Sequence, residues 1–109
     1  MAITVNIYYT GVNGAAVKFV EEMIAGKTVE RIRQEKGNLR YDYFFSADDA
    51  ETVLLIDSWE NQEAIDAHHE SPMMKTILEL REKYQLHMRV ERYLAEDEIR
   101  VSDRKFIRS

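Results

Sequence analysis

The residues best suited to chemistry lie close together in the stretch 52–74, TVLLIDSWENQEAIDAHHESPMM. Trp59 ends an apolar run, and its indole ring could stack on a flat ligand. His68 follows on a predicted helix, and an imidazole with an ordinary pKa near 6.5 can remove a proton at neutral pH. Both residues could equally be satisfied parts of the core. The functional hypothesis is that the two rings face one shared hollow with little water.

Four more side chains could assist such a histidine. Asn6 on the first strand and Tyr41 on the second can each donate a hydrogen bond to a substrate oxygen. Tyr43 can stack through its ring, although aromatic residues in strands usually pack. Asp57 falls on the same side of its strand as Trp59, because strand side chains alternate. It could orient a histidine or bind substrate, and the alternative is an ion pair with an arginine.

Other catalytic and metal-binding patterns are missing from the sequence. It contains no cysteine, no phosphate-binding glycine loop, no G-x-S-x-G and no H-E-x-x-H. His68 and His69 are adjacent, and neighbouring helical residues do not face each other. Chelation by His68 would need a ligand one helical turn away, where Ala64 and Pro72 stand. We therefore expect no metal site.

Composition narrows the class of protein. With 109 residues, 45% of them hydrophobic and 32% charged, the chain is expected to form one globular domain. The net charge of −5 argues against nucleic acid as a partner, because such binding needs clustered Lys and Arg. No apolar run approaches the roughly 18 residues that cross a membrane. We expect no signal peptide, no membrane contact and a cytoplasmic location.

Hydrophobic periodicity predicts the elements that must position these residues. In chain order they are a strand at 3–10, one long helix at 16–37, strands at 39–46 and 52–59, a helix that Asn61 caps, a break at Ser71-Pro72 that caps another helix ending near Tyr84, and a strand at 86–94. This order predicts an α+β, ferredoxin-like βαββαβ fold, with an antiparallel sheet and its helices on one face. The first and third strands should be central.

The sheet face away from the helices is predicted to be too apolar to remain in water. In one register it carries Asn6, Tyr8, Phe44, Leu54, Ile56 and Tyr93, and in the other register the alternate residues. We expect a homodimer packed through this face. Residues 1–94 should form the domain, and 95–109 a C-terminal tail that either wraps the partner subunit or is a frayed end.

Four segments resemble the antibiotic biosynthesis monooxygenase domain, which includes quinol monooxygenases and related dimeric α+β barrels. They are Gly37-Asn38-Leu39-Arg40-Tyr41, Asp57-Ser58-Trp59-Glu60-Asn61, Ala64-Ile65-Asp66-Ala67-His68 and Ser71-Pro72. The resemblance covers about residues 2–94. It is more specific for the fold than for a reaction, because the family also includes isomerases and haem-degrading proteins.

The resemblance implies oxygenation with no metal, flavin or haem. A small phenol or quinol would be deprotonated, and its anion would itself reduce dioxygen. His68 would be the base, Asn6 and Tyr41 the hydrogen-bond donors, and Trp59 the stacking wall. Haem cleavage is not expected, because the segment 76–80 lacks the axial histidine of the haem-degrading branch. The alternatives are an isomerase or tautomerase of a small oxygenated metabolite, and a non-catalytic ligand-binding dimer.

Overall fold

The computed structural model describes residues 1–96 and 98–108 and contains one four-stranded sheet with its helices. The elements in chain order are β1 (Ile3–Thr10), α1 (Ala15–Ala25), α2 (Thr28–Arg33), β2 (Asn38–Phe45), β3 (Thr52–Trp59), α3 (Gln62–His69), α4 (Pro72–Lys83), β4 (His87–Leu94) and α5 (Val101–Arg104). The predicted α+β, ferredoxin-like fold is confirmed.

The sheet order is β2-β3-β1-β4 with antiparallel pairing, so β1 and β3 are central as predicted. Odd-numbered residues of β3 are buried and even-numbered ones are half-buried, from Thr52 to Trp59. Leu55 of β3 pairs with Ile7 of β1 and Tyr43 of β2. This register turns the odd-numbered side chains toward the helices, and the site is built on that face.

The predicted long helix at 16–37 is wrong, because the chain forms two helices there. Gly26 ends α1, and Lys27 has a left-handed backbone with φ 62° that a right-handed helix cannot include. The chain turns at this point, and α2 buries Val29 and Ile32. The change of direction matters for function because the turn after α2 carries Glu35 to the candidate site.

The ends of α3 and α4 follow the predicted capping residues, with one difference. Asn61 Oδ1 accepts a hydrogen bond from the Ala64 amide at 2.9 Å, which confirms Asn61 as the N-cap of α3. Pro72 is the first residue of α4, as expected from its fixed φ. Ser71 precedes it, but its hydroxyl donates to the His68 carbonyl at 2.7 Å and makes no side-chain cap for α4. Ser71 thus secures the end of α3.

The face of the sheet away from the helices carries the first of the two predicted sets. Asn6, Tyr8, Leu54 and Ile56 are half-buried there, and Phe44 and Tyr93 are exposed. The Thr4 and Ser58 hydroxyls are hydrogen-bonded at 2.9 Å. Arg89 lies over the Tyr8 ring, with its guanidinium carbon 3.9 Å from the ring centroid. A single chain therefore leaves this face partly uncovered, with apolar and aromatic side chains beside the charged Arg89 and Glu91.

The outer edge of the sheet at β2 is partly occupied by an arginine of α2. Arg33 donates to the Tyr41 carbonyl through Nε at 3.0 Å and Nη2 at 2.7 Å. Its Nη2 also contacts Asp42 at 3.1 Å. One backbone acceptor of this edge strand is therefore satisfied within the chain.

Beyond β4 the chain continues into the segment predicted as a tail. The Ala95 amide still donates to the Ala2 carbonyl at 2.9 Å, and α5 follows. Phe106 is 80% exposed and Ile107 55% exposed. The predicted tail, 95–109, includes Asp97 and Ser109, which lie outside the described residues. Its packing on a partner subunit stays a prediction.

Candidate active site

A cavity of about 290 Å³ lies between the helix-facing side of the sheet and the inner faces of α3 and α4. Its wall includes four of the six predicted site residues, Tyr41, Asp57, Trp59 and His68. Apolar side chains from the sheet and both helices complete most of the lining, among them Val5, Ile7, Leu55, Ile65, Met74 and Ile77. The shape and lining are those of a small-molecule site, which typically combines apolar walls with a few polar groups.

His68 and Trp59 are in contact, as the hypothesis of a shared hollow required. Their ring centroids are 4.7 Å apart with an interplanar angle of 30°, which is a stacked arrangement. Trp59 ends β3 and is 1% exposed, and His68 is 5% exposed. Ile65 and His68 are three residues apart on α3 and both are buried, so helical spacing turns them to the same side. The indole is thus both a core residue and a wall of the cavity.

A buried carboxylate holds the other side of the histidine. His68 Nδ1 lies 2.8 Å from Glu35 Oε2, and the Glu35 side chain is 14% exposed. A carboxylate can only accept, so in neutral His68 the proton lies on Nδ1 and Nε2 is free to accept one. Burial lowers the pKa of His68 below its ordinary value, against the opposing effect of the Glu35 charge and hydrogen bond. Burial therefore favours the neutral imidazole, which is the form that can accept a proton.

Asp57 and Arg81 form a second polar group on the same cavity. Burial raises the pKa of Asp57 to about 7, although the Trp59 side chain and the Arg81 charge lower it. Arg81 lies on α4 and donates to Tyr9 Oη through Nη2 at 2.8 Å and Nε at 3.2 Å. The cavity therefore holds a fixed cation and a carboxyl group that can be protonated near neutral pH.

Tyr41 lines the cavity beside His68. It is 2% exposed, and its ring centroid is 6.4 Å from that of His68 in an edge-on arrangement. Burial raises the pKa of Tyr41 well above its ordinary value, so the hydroxyl stays protonated and can donate. A protonated phenol is a hydrogen-bond donor rather than a base.

Tyr43 and Asn6 are not on the cavity wall. Tyr43 packs edge-on against Tyr41 and Phe19, and it borders a separate surface groove formed with α1 and α2. Asn6 pairs with Ile56 and lies on the face of the sheet away from the helices. The predicted donor role of Asn6 beside His68 is therefore contradicted, because the sheet separates the two side chains.

Sequence reasoning missed Glu35 and Arg81. Glu35 carries no local signal, because only the turn after α2 brings it to His68, 33 residues away. Arg81 did have a local signal. It lies four residues after the buried Ile77, so the two residues share one face of α4.

Metal and membrane sites are not found in the described part of the chain. Within residues 1–96 and 98–108, no three His, Cys, Asp or Glu side chains cluster as metal ligands. Across those same residues, no helix has the length and apolar character needed to span a membrane.

The sheet, its helices and the cavity between them define a class: small ferredoxin-like α+β proteins with a pocket under the helices. The sequence model of antibiotic biosynthesis monooxygenases matches residues 2–80. The chain belongs to the antibiotic biosynthesis monooxygenase family. This membership supports a general monooxygenase-like role.

Solved structures show the same fold at low sequence identity. SnoaB, a cofactor-independent oxygenase from Streptomyces nogalater, is 14% identical with a TM-score of 0.72, and the match covers 90% of this chain and 96% of that one. A candidate antibiotic biosynthesis monooxygenase from Deinococcus radiodurans is 19% identical with a TM-score of 0.73, covering 93% and 98%. A conserved protein from Methanosarcina mazei is 18% identical with a TM-score of 0.75, covering 88% and 94%. Among curated proteins, no match is found.

Proposed function

We propose that the protein is a cofactor-independent monooxygenase that uses dioxygen to oxidise a small phenolic or quinol-like compound. The observation that carries this proposal is the position of His68, stacked on Trp59 and hydrogen-bonded to Glu35 at the wall of a mostly apolar cavity. A volume of about 290 Å³ suits a ligand of one or two rings. The family membership and the resemblance in fold to SnoaB support the same reaction class.

The reaction begins when His68 Nε2 accepts the proton of the substrate hydroxyl. The resulting phenolate is stabilised by the Arg81 charge and by the Tyr41 hydroxyl, since both residues line the cavity. Arg81 takes the hydrogen-bond donor role that was predicted for Asn6. Exclusion of water by the apolar lining strengthens these interactions. The electron-rich anion then reduces dioxygen and forms a carbon-bound peroxide, and loss of water gives a quinone.

Two further features belong to the proposal. The protein is a homodimer joined through the sheet face that carries Tyr8, Leu54 and Ile56, because a surface of this apolar character is typical of an interface. It acts in the cytoplasm, since a chain without cysteine does not depend on an oxidising compartment.

Oxygen uptake with a panel of phenols and hydroquinones tests the reaction. The wild type is expected to consume dioxygen and form the quinone without added metal or flavin. His68→Gln can still donate to Glu35 but cannot act as a base, so kcat should fall by about 10²–10⁴-fold. His87→Ala is the matched control, because His87 is exposed at the start of β4 and away from the cavity.

Three results would contradict the proposal. They are no oxygen uptake by the wild type with any compound, unchanged turnover in a folded His68→Gln variant, and equal loss in His87→Ala. Conversion of a substrate without oxygen uptake would instead support the isomerase or tautomerase alternative.

A further inference from the structure

Asp57 occupies a buried position whose two neighbours on the adjacent strands are packing residues. It lies on the central strand β3 between Val5 of β1 and Tyr41 of β2, and it is 6% exposed. Its Oδ1 atom is buried and has no hydrogen-bond partner in the part of the chain that the structure describes. Such an unpaired polar group lowers stability, so an apolar side chain would serve the fold better. The carboxyl group therefore calls for a functional explanation.

The surroundings of Asp57 compensate its charge only in part, through the Trp59 side chain and the Arg81 charge. Arg81 is the nearest cationic influence, but its Nε and Nη2 atoms donate to Tyr9 Oη. Within residues 1–96 and 98–108, no Lys, Arg or His nitrogen lies within 4.0 Å of the carboxyl oxygens. The titratable and charged groups that share its cavity or respond to its charge are Tyr9 of β1, Tyr41 and Tyr43 of β2, His68 and His69 of α3, Arg81 of α4 and Arg92 of β4.

The cavity consequently contains two proton-exchanging groups with opposite tendencies. Burial lowers the pKa of His68 and raises that of Asp57 to about 7. A base kept neutral and an acid kept partly protonated, on one cavity wall, is a pattern typical of paired acid and base catalysts. The proposed monooxygenase reaction uses His68 as its base, and its last step also needs an acid.

We propose that Asp57 is a second catalytic residue, the acid that protonates the oxygen leaving when the O–O bond of the peroxide intermediate breaks. This inference rests on the proposed function. Among the acidic residues of the described chain, Asp57 alone lines the cavity. Glu35, the other carboxylate near His68, does not line it and binds the histidine through Oε2.

The step balances in atoms and electrons. His68 first takes the hydroxyl proton of the substrate and returns it to the peroxide anion, which becomes a hydroperoxide. His68 then removes the hydrogen on the carbon that bears the hydroperoxide. The electron pair of that C–H bond forms the second C–O bond of the quinone, and the O–O bond breaks. The departing hydroxide takes the Asp57 proton and leaves as water, and the His68 proton afterwards returns to Asp57 through solvent.

Asp57→Asn tests the role because it keeps the shape and removes the proton. We expect kcat to fall by about 10²–10⁴-fold with little change in KM. With a hydroquinone as substrate, dioxygen that is not incorporated should take two electrons and two protons and leave as hydrogen peroxide. The yield of hydrogen peroxide per dioxygen consumed should therefore rise in the variant. Asp57→Glu should recover part of the rate, and Asp48→Asn in the exposed β2–β3 loop is the control.

Stability measured against pH gives a readout that needs no substrate. Because the pKa of Asp57 is raised in the folded state, the native protein binds more protons than the unfolded chain between about pH 4 and 7. This contribution to the unfolding free energy is present at low pH and is lost as the pH rises through that window. Asp57→Asn should remove this decrease in the unfolding free energy, so that the variant gains stability relative to the wild type at pH 8.

Different experimental results would contradict the role of Asp57 and the proposed function. Wild-type oxygen uptake combined with an unchanged rate and peroxide yield in Asp57→Asn would overturn the inference alone. An ordinary Asp57 pKa, seen as an unchanged pH dependence of stability in the variant, would overturn it too. If the wild type takes up no dioxygen with any quinol, both proposals fail.

Discussion

At the scale of single residues, the site depends on how Glu35 fixes His68. The carboxylate selects the tautomer with a proton on Nδ1 and partly offsets the lowering of the His68 pKa by burial. Glu35 does not line the cavity, so its effect on catalysis would pass through the histidine. We therefore expect Glu35 to act as a positioning residue.

Glu35→Gln separates the charge of this residue from its hydrogen bond. The amide oxygen can still accept from Nδ1, but the negative charge is lost, so the pKa of His68 should fall further. We expect the acid limb of the kcat/KM profile to move to lower pH and the rate at neutral pH to fall by roughly tenfold, as expected for a weaker base. A pH–rate profile and an NMR titration of His68 measure the two effects. An unmoved limb in a folded variant would show that Glu35 is only structural.

The sequence predicted part of this residue-level arrangement. The strand alternation placed Asp57 beside Trp59, and the helical spacing turned His68 toward them, because both patterns are local. Glu35 could not be found, since its contact depends on a turn in a distant segment. Asn6 was assigned to the site although the alternation of Ile3, Val5, Ile7 and Tyr9 already places it on the opposite face.

At the scale of elements, the junction between β2 and α3 sets the position of His68. Gly37 precedes β2 with φ 86°, and its carbonyl accepts from the Glu60 amide at 2.8 Å. A Cβ atom at Gly37 would lie 2.6 Å from Ala64 Cβ on α3. This close approach gives a physical reason for the glycine in the Gly37–Tyr41 segment.

Gly37→Ala should therefore both destabilise the fold and displace α3. The left-handed backbone alone costs about 1–2 kcal/mol for a residue with a Cβ atom, and the overlap with Ala64 adds roughly 1–3 kcal/mol. Gly14→Ala is the matched control, since Gly14 has φ 77° but nothing lies within 4 Å of its Cβ position. Urea unfolding of both variants isolates the contact cost. Equal losses would show that the approach of Ala64 does not matter.

Element boundaries show what periodicity can and cannot predict. The strands and the caps at Asn61 and Pro72 were found because each depends on a few adjacent residues. The division of α1 from α2 was missed because the apolar stripe continues across it from Met23 to Val29. The left-handed residue at the break is Lys27, and a lysine gives no signal for that backbone.

At the scale of the whole molecule, the uncovered sheet face predicts the assembly. Leu54 and Ile56 sit at its centre, on the middle strand β3. A charge placed there would be buried without a partner in a face-to-face dimer, whereas in a monomer it would meet water. The predicted interface and the cavity are on opposite faces of the sheet, so substitutions can alter them separately.

Ile56→Glu should consequently convert a dimer into a monomer. Light scattering or sedimentation at micromolar concentration is expected to give twice the chain mass for the wild type and about one chain mass for the variant. Lys75→Glu, an exposed position on α4, is the control for added negative charge. A wild type of one chain mass would contradict the predicted dimer, and so would an unchanged mass in the variant.

The α+β fold and the central pair of strands were predictable because strand order follows from the sequence of elements and the rule of right-handed crossovers. The cavity was not predictable in shape. Its volume depends on how far α3 and α4 stand from the sheet, and that spacing is set by packing among many distant residues.

Arg33 at the outer edge of β2 affects whether another chain can add a strand to the sheet. An unpaired edge strand is a template on which a foreign strand can add, and repeated addition gives fibres. Here the Arg33 guanidinium already holds the Tyr41 carbonyl that an incoming strand would need. Addition of a strand at this position of the edge is therefore disfavoured, so edge-to-edge association is not expected there.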